Sequence, residues 1–312
     1  MSYNYVIYHG GCLDGFTSFI ILHNSKLIKK DALIYHDQPH SKSVPPNIKG
    51  KDIIIMDVAY KKEILQQIFN LAKSVVFIDH HDSISLDVQN LHNIKNHTII
   101  YDEKESGASL TWKFIHKKKK IPLFIKYIKD NDIGAWKFKN TESFIIALRV
   151  HYSTKLTDHN VKAWKKLITN TQEVYSLIKK GNQYKVYYDH LLEENLKKYS
   201  LMQFPGEKIM HLFPNMKLGQ YRVAVYNGSG CPNSSILGRE FASRINCDFA
   251  IIWTYNIDRN EYVLQFRSSE VDVGEIAKAF GGGGHILASA GSFSANKYNI
   301  KDLFLPEALP RN

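Results

Sequence analysis

Two short segments limit what this chain can fold into: DIIIMDV (Asp52–Val58) and SVVFIDH (Ser74–His80). Each is apolar at consecutive positions, so neither can lie with one face in water. A strand buried on both faces belongs inside a sheet that helices cover on either side, and such sheets are mostly parallel. YNYVIYH (Tyr3–His9) and DALIYHD (Asp31–Asp37) read as further strands, and HTIIYDE (His97–Glu103) as another strand buried on both faces. DGFTSFIILHNSKLI places Phe16, Phe19, Ile20 and Leu27 on one helical face, and KKEILQQIFNLAK does the same with Ile64, Leu65, Ile68 and Phe69. Strands alternating with amphipathic helices predict an α/β domain, here over residues 1–152.

The pattern then changes. Residues 157–200 contain no proline and few strand signals. They read as one long helix, or two joined near Gly181, within a helical connector over 153–216 that FPGEK and LFPNMKLGQ interrupt. A smaller mixed α/β domain is expected over 217–312. It starts with the strand YRVAVYN (Tyr221–Asn227) and a helix, PNSSILGREFASRI, capped by Asn233 or Ser234. DFAIIWTYN and EYVLQFRSS read as antiparallel strands across the turn IDRN. VDVGEIAKAF is a helix, and GGGGHILASAG suggests a glycine loop with another helix just after it.

Composition narrows the function classes. The chain has 312 residues, 44% of them hydrophobic and 23% charged, which is a folded rather than a disordered profile. No apolar run approaches the roughly 18 residues that span a bilayer. MSYNYVIYHGG lacks the basic start and apolar core of a signal peptide, so it reads as the first strand of a cytoplasmic protein. Cys12, Cys231 and Cys247 lie far apart, which argues against a zinc ribbon or a disulfide framework. A net charge of +11 favours an anionic partner, nucleotides and nucleic acid first. The dense run HKKKK (His116–Lys120) reads as a solvated helix end.

The chemistry concentrates where strands end. In a parallel α/β sheet, ligands bind beyond the C-terminal ends of the strands. There the sequence places His9 and then Asp14, Asp57, and Asp79-His80-His81, while YIKDNDIGAW adds Asp130 and Asp132. One polar strand end is only a strand reaching water; five or more such residues make a site. Aspartate with histidine suits Mn²⁺, Co²⁺ or a similar borderline ion, whereas a site built for Mg²⁺ alone would use fewer imidazoles. So many anionic ligands point to two ions, which together clamp a phosphoryl centre and generate a nucleophile from water. Further along, Arg267 can hold a phosphate bidentately, and Gly281–Gly284 allow a backbone to approach one closely. His285 can donate to a phosphate oxygen or protonate a leaving group. Ser106 either touches phosphate or caps the helix SGASLTWKF. His36 and His40 read as loop or strand-end residues, and Trp112, Trp164 and Trp253 as core or interface. Trp136 either packs or stacks on a base.

IDHHDS resembles the signature of the DHH phosphoesterase superfamily. The order of motifs resembles it too: histidine and aspartate after the first strand, a lone aspartate after a later one, Asp-His-His, SGAS (Ser106–Ser109), Asp-x-Asp, and a distal Gly-Gly-Gly-His. FGGGGHILASAG resembles the substrate-binding motif of the DHH-associated C-terminal domain. HGGCLDGF is most similar to nano-RNase B-type oligoribonucleases and related cyclic-nucleotide phosphodiesterases. The resemblance implies an active site in a cleft between two domains. It implies that Asp57 bridges two metals, with His9, Asp14, His80 and Asp130 as further ligands. Asp79 would contact metal or support His80, and His81 would lie near the scissile phosphate. His81, Asp57 and His285 would be catalytic, with Arg267, Gly282, Gly283, Gly284, His285 and Ser106 on the substrate. Many members carry aspartate two positions before Asp14, where this chain has Cys12; it is either a ligand favouring softer ions such as Co²⁺ or Zn²⁺, or a packed thiol.

The implied activity is hydrolysis of short single-stranded oligonucleotides, RNA or DNA, to mononucleotides, with two divalent ions: Mn²⁺ first, then Co²⁺ or Mg²⁺. A cyclic mono- or dinucleotide phosphodiesterase is the alternative with the same centre. A longer-range exonuclease of the RecJ type ranks lower, and a catalytically inactive nucleotide-binding protein is the alternative of another class. No membrane partner is expected, and a homodimer is compatible with the sequence.

Overall fold

The computed structural model describes residues 2–89, 91, 96–228 and 234–307, which form two compact units, 1–185 and 186–312. The first is built on strands β1 (Tyr3–His9), β2 (Ile28–Asp37), β3 (Asp52–Met56), β4 (Ser74–Asp79) and β5 (His97–Tyr101). All pair in parallel, in the order β2-β1-β3-β4-β5. Around them lie α1 (Leu13–His23), α2 (Lys62–Leu71), α3 (Ser85–Gln89), α4 (Gly107–His116), α5 (Leu123–Asp132), α6 (Thr141–His151), α7 (Asp158–Thr169) and α8 (Thr171–Asn195).

Consecutive residues of the central strands enter opposite cores, which is why they are apolar at every position. Val6, Tyr8, Ile54, Met56, Val76 and Ile78 face one core, where α1, α4, α5, α6, α7 and the start of α8 pack. Tyr5, Ile7, Ile53, Ile55, Val75 and Phe77 face the other, against Leu65, Ile68 and Phe69 of α2. Each fully buried side chain of this size contributes roughly 1.5–3 kcal/mol. The reading of strands buried on both faces holds for β1, β3 and β4. It fails for β5, an edge of the sheet that is only partly covered, as is β2 at the other edge.

Two helix readings change. α1 ends at His23, and Ile28 already belongs to β2. Ser25 Oγ donates to the Leu22 carbonyl and accepts from the Leu27 amide, so local side-chain bonds replace the next helical turn. The break between α7 and α8 falls at Asn170, not at Gly181. Asn170 Oδ1 accepts from the Gln172 amide at 3.0 Å, starting the new helix. Gly181 lies inside α8, where a Cβ would sit 1.8 Å from the Ser143 carbonyl oxygen of α6. The stretch read as a connector, 153–216, is thus divided: α7 and the first turns of α8 supply Trp164, Leu167, Val174 and Leu177 to the first unit's core.

The second unit carries β6 (Ser200–Phe204), β7 (Tyr221–Asn227), α9 (Ser234–Arg244), β8 (Phe249–Asn256), β9 (Glu261–Ser268), α10 (Val273–Ala279), β10 (Gly283–His285), β11 (Ala288–Ser294) and β12 (Leu305–Pro306). The strand order is β10-β11-β9-β8-β7-β6-β12; β7 and β8 are parallel and the other pairs antiparallel. Its core is aromatic, with Phe204, Phe249, Phe266, Phe280 and Phe293. The helix expected just after the glycines is not formed: residues 283–285 and 288–294 make a hairpin. Ser289, Gly291 and Phe293 are buried in alternation along β11, a strand period hidden by small side chains. Cys231 and the candidate cap Asn233 lie outside the described residues. No helix among the described residues is long and apolar enough to cross a membrane.

Candidate metal centre

The order β2-β1-β3 means that the chain leaves β1 to one side and then returns on the other. The C-terminal ends of β1 and β3 therefore flank the point where the topology switches, the place where open parallel sheets bind ligands. His9 ends β1, and Asp57 follows β3 with φ of 61°, its amide donating to the Ile78 carbonyl at 2.9 Å. Aspartate tolerates this left-handed backbone better than most residues. The turn aims the Asp57 carboxylate between two imidazoles. Oδ2 is 3.3 Å from His9 Nδ1, and Oδ1 is 3.1 Å from His80 Nε2.

Two groups of potential ligands meet on this carboxylate. Donor atoms of His9, Cys12 and Asp57 all lie within 4.8 Å of one another, and so do those of Asp14, His80 and Asp132. His80 Nε2 is also 3.2 Å from Asp132 Oδ2. Asp14, Asp57, Asp79 and His80 are each at most 1% exposed, so their charges must be balanced from within the site.

Asp14 enters from the first turn of α1 and meets the N-terminus of α4, where the Ala108 amide donates to Oδ1 at 3.2 Å and Oδ2 at 3.1 Å. A Cβ on Gly107 would lie 2.7 Å from Asp57 Cβ and 2.8 Å from Asp14 Oδ2, so the glycine of SGAS is what lets this helix end approach. Ser106 caps α4. It is fully buried, forms a capping box with Ser109, and bonds Asp14.

Asp79 Oδ1 accepts from the amides of His80 (2.6 Å) and His81 (2.9 Å) and lies 2.7 Å from His81 Nδ1. It therefore orients both signature histidines. Asp130, expected as a ligand, is placed otherwise. It accepts from the amides of Lys137 (2.7 Å) and Phe138 (3.1 Å) and from Thr141 Oγ1 (2.5 Å), pinning the loop that follows α5. Asp132 takes the position at the centre.

In the second unit, Arg267 turns inward: Nη1 donates to the Phe266 and Ser289 carbonyls and Nη2 to Ser235 Oγ. Loss of hydration pushes its guanidinium down to about 10. A Cβ on Gly282 would meet the Ala290 carbonyl at 1.9 Å, and Gly284 has φ of 144°, so both glycines are needed for the hairpin itself. Gly283 and His285 lie on β10, His285 opposite Ala288. Trp164 is fully buried, while Trp112 lies against His116, with ring centroids 4.0 Å apart and the planes tilted by 46°. His40, read as a loop residue, is held down to about 4 by burial and by the nearby charge of His81.

The electrostatics are those of a cation site. Burial and Asp57 push Asp14 up to about 8, against Ser106 and the Ala108 amide. Burial, Asp14, Asp57 and Cys12 push Asp132 well above the usual carboxylate range. Burial opposes the charged form of Asp57, but hydrogen bonds from His80 and His9 outweigh it and hold its pKa far down. Burial likewise opposes His9 and His81, yet Cys12 with Asp57 raises His9 to about 11, and Asp79 raises His81 to about 9. His80 is pushed down by burial and by His81. Asp132 Oδ2 is buried and makes no aligned hydrogen bond among the described residues. Crowded carboxylates, a His80 imidazole favoured in the form that offers a lone pair, and a buried oxygen without an aligned hydrogen bond fit divalent cations.

No family model matches the chain. An uncharacterised protein of Acanthamoeba polyphaga mimivirus is 29% identical over 306 residues, covering 94% of this chain and 68% of that one. The DHH domain of a protein described as a member of a family of ribosomal proteins superposes with a TM-score of 0.54 at 13% identity, over 94% of this chain and 83% of the other. The pGpG-specific phosphodiesterase PggH of Vibrio cholerae gives a TM-score of 0.49 at 17% identity, over 94% of each chain. At these identities the likeness to solved structures is one of fold: this chain is folded like a DHH-domain protein.

Proposed function

We propose that the chain is a metal-dependent phosphodiesterase of the DHH type that hydrolyses short single-stranded oligonucleotides to mononucleotides. The observation that carries this reading is the Asp57 carboxylate, held between His9 and His80 at the topological switch point, with His9 and Cys12 gathered on one side and Asp14, His80 and Asp132 on the other. The DHH-like fold and the net charge of +11 support a phosphate-bearing substrate.

His9, Cys12 and Asp57 would hold one ion, and Asp14, His80 and Asp132 the other; Asp57 Oδ1, 3.1 Å from His80 Nε2, also borders the second group. Divalent ions bound there, Mn²⁺ first, would polarise a phosphoryl oxygen and supply an activated water. Asp57 fixes the spacing of the two positions through its constrained backbone. Asp79 keeps His81 protonated and oriented, which makes it a donor to the charge that develops on phosphate. The amide end of α4 holds Asp14 in place. Gly282–Gly284, His285 and Arg267 remain assigned to substrate phosphate by the motif resemblance, Arg267 only if it exchanges its carbonyl partners for phosphate oxygens.

The test is hydrolysis of a 5′-labelled RNA trimer and of cyclic AMP with Mn²⁺, Co²⁺ or Mg²⁺, beside Asp57→Asn, which tolerates the same backbone angle. Stepwise shortening of the trimer, reduced at least about a hundredfold in the variant, is the expected result. Cleavage of cyclic AMP alone would replace the substrate assignment. Absence of both, in protein shown to bind Mn²⁺, would overturn the enzymatic reading.

A further inference from the structure

We propose that Cys12 makes the His9–Cys12–Asp57 position a thiolate-ligated one, so that the two metal positions differ in kind. This position takes a thiophilic divalent ion such as Co²⁺ or Zn²⁺; the Asp14–His80–Asp132 position takes a hard ion such as Mn²⁺ or Mg²⁺. The inference rests on the metal-centre reading above and goes beyond it by assigning different ions to the two positions.

Three observations carry it. The Cys12 sulfur lies within 4.8 Å of both a ring nitrogen of His9 and a carboxylate oxygen of Asp57. Ligands bound at about 2.0–2.3 Å around a tetrahedral ion sit about 3.3–3.8 Å apart, so small side-chain adjustments would close the set. Cys12 also stands at the N-cap of α1, where a helix's positive end favours a thiolate, and its side chain caps no amide of that helix. Finally, Cys12 is only partly buried and belongs to neither hydrophobic core of its unit, unlike a thiol kept for packing. The two donor sets then differ chemically: one nitrogen, one sulfur and one oxygen on this side, one nitrogen and two oxygens on the other. Sulfur ligands select softer ions, and oxygen ligands harder ones.

The experiment uses the full chain, stripped with chelator and titrated with Co²⁺ while absorption is followed in the near ultraviolet. A sulfur-to-cobalt charge-transfer band is expected in the parent protein, retained in Cys231→Ser/Cys247→Ser, and absent in Cys12→Ser. Metal analysis after gel filtration from an equimolar Zn²⁺ and Mn²⁺ mixture gives the second readout. The parent should retain both ions, while Cys12→Asp should keep Mn²⁺ and lose Zn²⁺ affinity by at least about tenfold. Cys12→Asp also serves if the serine variant does not fold, because it restores a charged ligand of the harder type. Bound Co²⁺ without the band, or a band that survives in Cys12→Ser, would overturn the proposal and leave the metal centre intact. Failure of the parent to retain any of the three ions would overturn both.

Discussion

Asp130 and Asp132 stand two positions apart at the end of α5, and they do opposite work. Asp130 closes a loop through three donors from Lys137, Phe138 and Thr141, whereas Asp132 reaches His80. Asp130→Ala should strand those donors and lower unfolding free energy by about 1–3 kcal/mol in denaturant titrations, while Mn²⁺ affinity of the folded fraction changes little. Asp132→Asn should do the reverse, with a Mn²⁺ Kd at least about tenfold higher by calorimetry and an unchanged denaturation midpoint without metal. Equal losses of affinity in the two variants would reject the assignment. The strand-end reading offered both residues and the motif resemblance pointed to Asp130; its actual partners depend on where residues 137–141 fold back. His9, Asp57 and His80 stand at or just after the strand ends where the sequence placed them, and Asp14 one helical turn beyond β1. Ser106 was ambiguous for a related reason: capping and phosphate binding call for the same hydroxyl, and the capping box that the fold forms shows only in three dimensions.

At the scale of elements, strands apolar at every position announced the parallel sheet, and β1, β3 and β4 fall where that pattern placed them. The hairpin after the glycines was illegible because Ala, Ser and Gly carry too little hydrophobic contrast to show a period of two. Gly181 is instructive in the other direction, since glycine inside a helix suggests a break. Gly→Ala in a helix interior ordinarily stabilises by about 1 kcal/mol. Here the new Cβ would meet the Ser143 carbonyl, so Gly181→Ala should instead lower the melting temperature, with a cost of about 3 kcal/mol or more. A rise in melting temperature would show that α6 and α8 are not in that contact. Glu105 ties the loop before α4 to α4 and α5 through Lys113 at 2.7 Å, Lys129 at 2.9 Å and Ser109 Oγ at 2.6 Å. Burial opposes its charge, but these partners prevail and hold it near 2, against 4.5 for a free glutamate. A depressed folded-state value means that its stabilisation is present above about pH 4.5 and is lost as pH falls through about 2. Solvent screening reduces it to about 1 kcal/mol, so Glu105→Gln should lose that much at pH 7 and show a shallower fall in acid; parallel acid profiles would count against it.

For the molecule as a whole, metal binding and folding are linked. Ions that bind the folded centre and not the unfolded chain stabilise it by about 2.7 kcal/mol at a hundred times Kd. Mn²⁺ should therefore raise the melting temperature of the parent by several degrees and that of Asp57→Asn by much less, in scans at matched ionic strength. An identical rise in both would place the ion elsewhere. The division of the chain into two units was harder to foresee than the sheets, because α8 does not interrupt its helical pattern at the boundary between residues 185 and 186. That uninterrupted helix matters during synthesis. Its early turns carry Val174, Leu177 and Ile178 into the first unit's core, so the last side chains that close this core are also among the last of the unit to leave the ribosome. A nascent chain stalled before that point would hold a finished parallel sheet with one flank still open to water, and its exposed apolar surface makes this the interval in which a chaperone has most to offer.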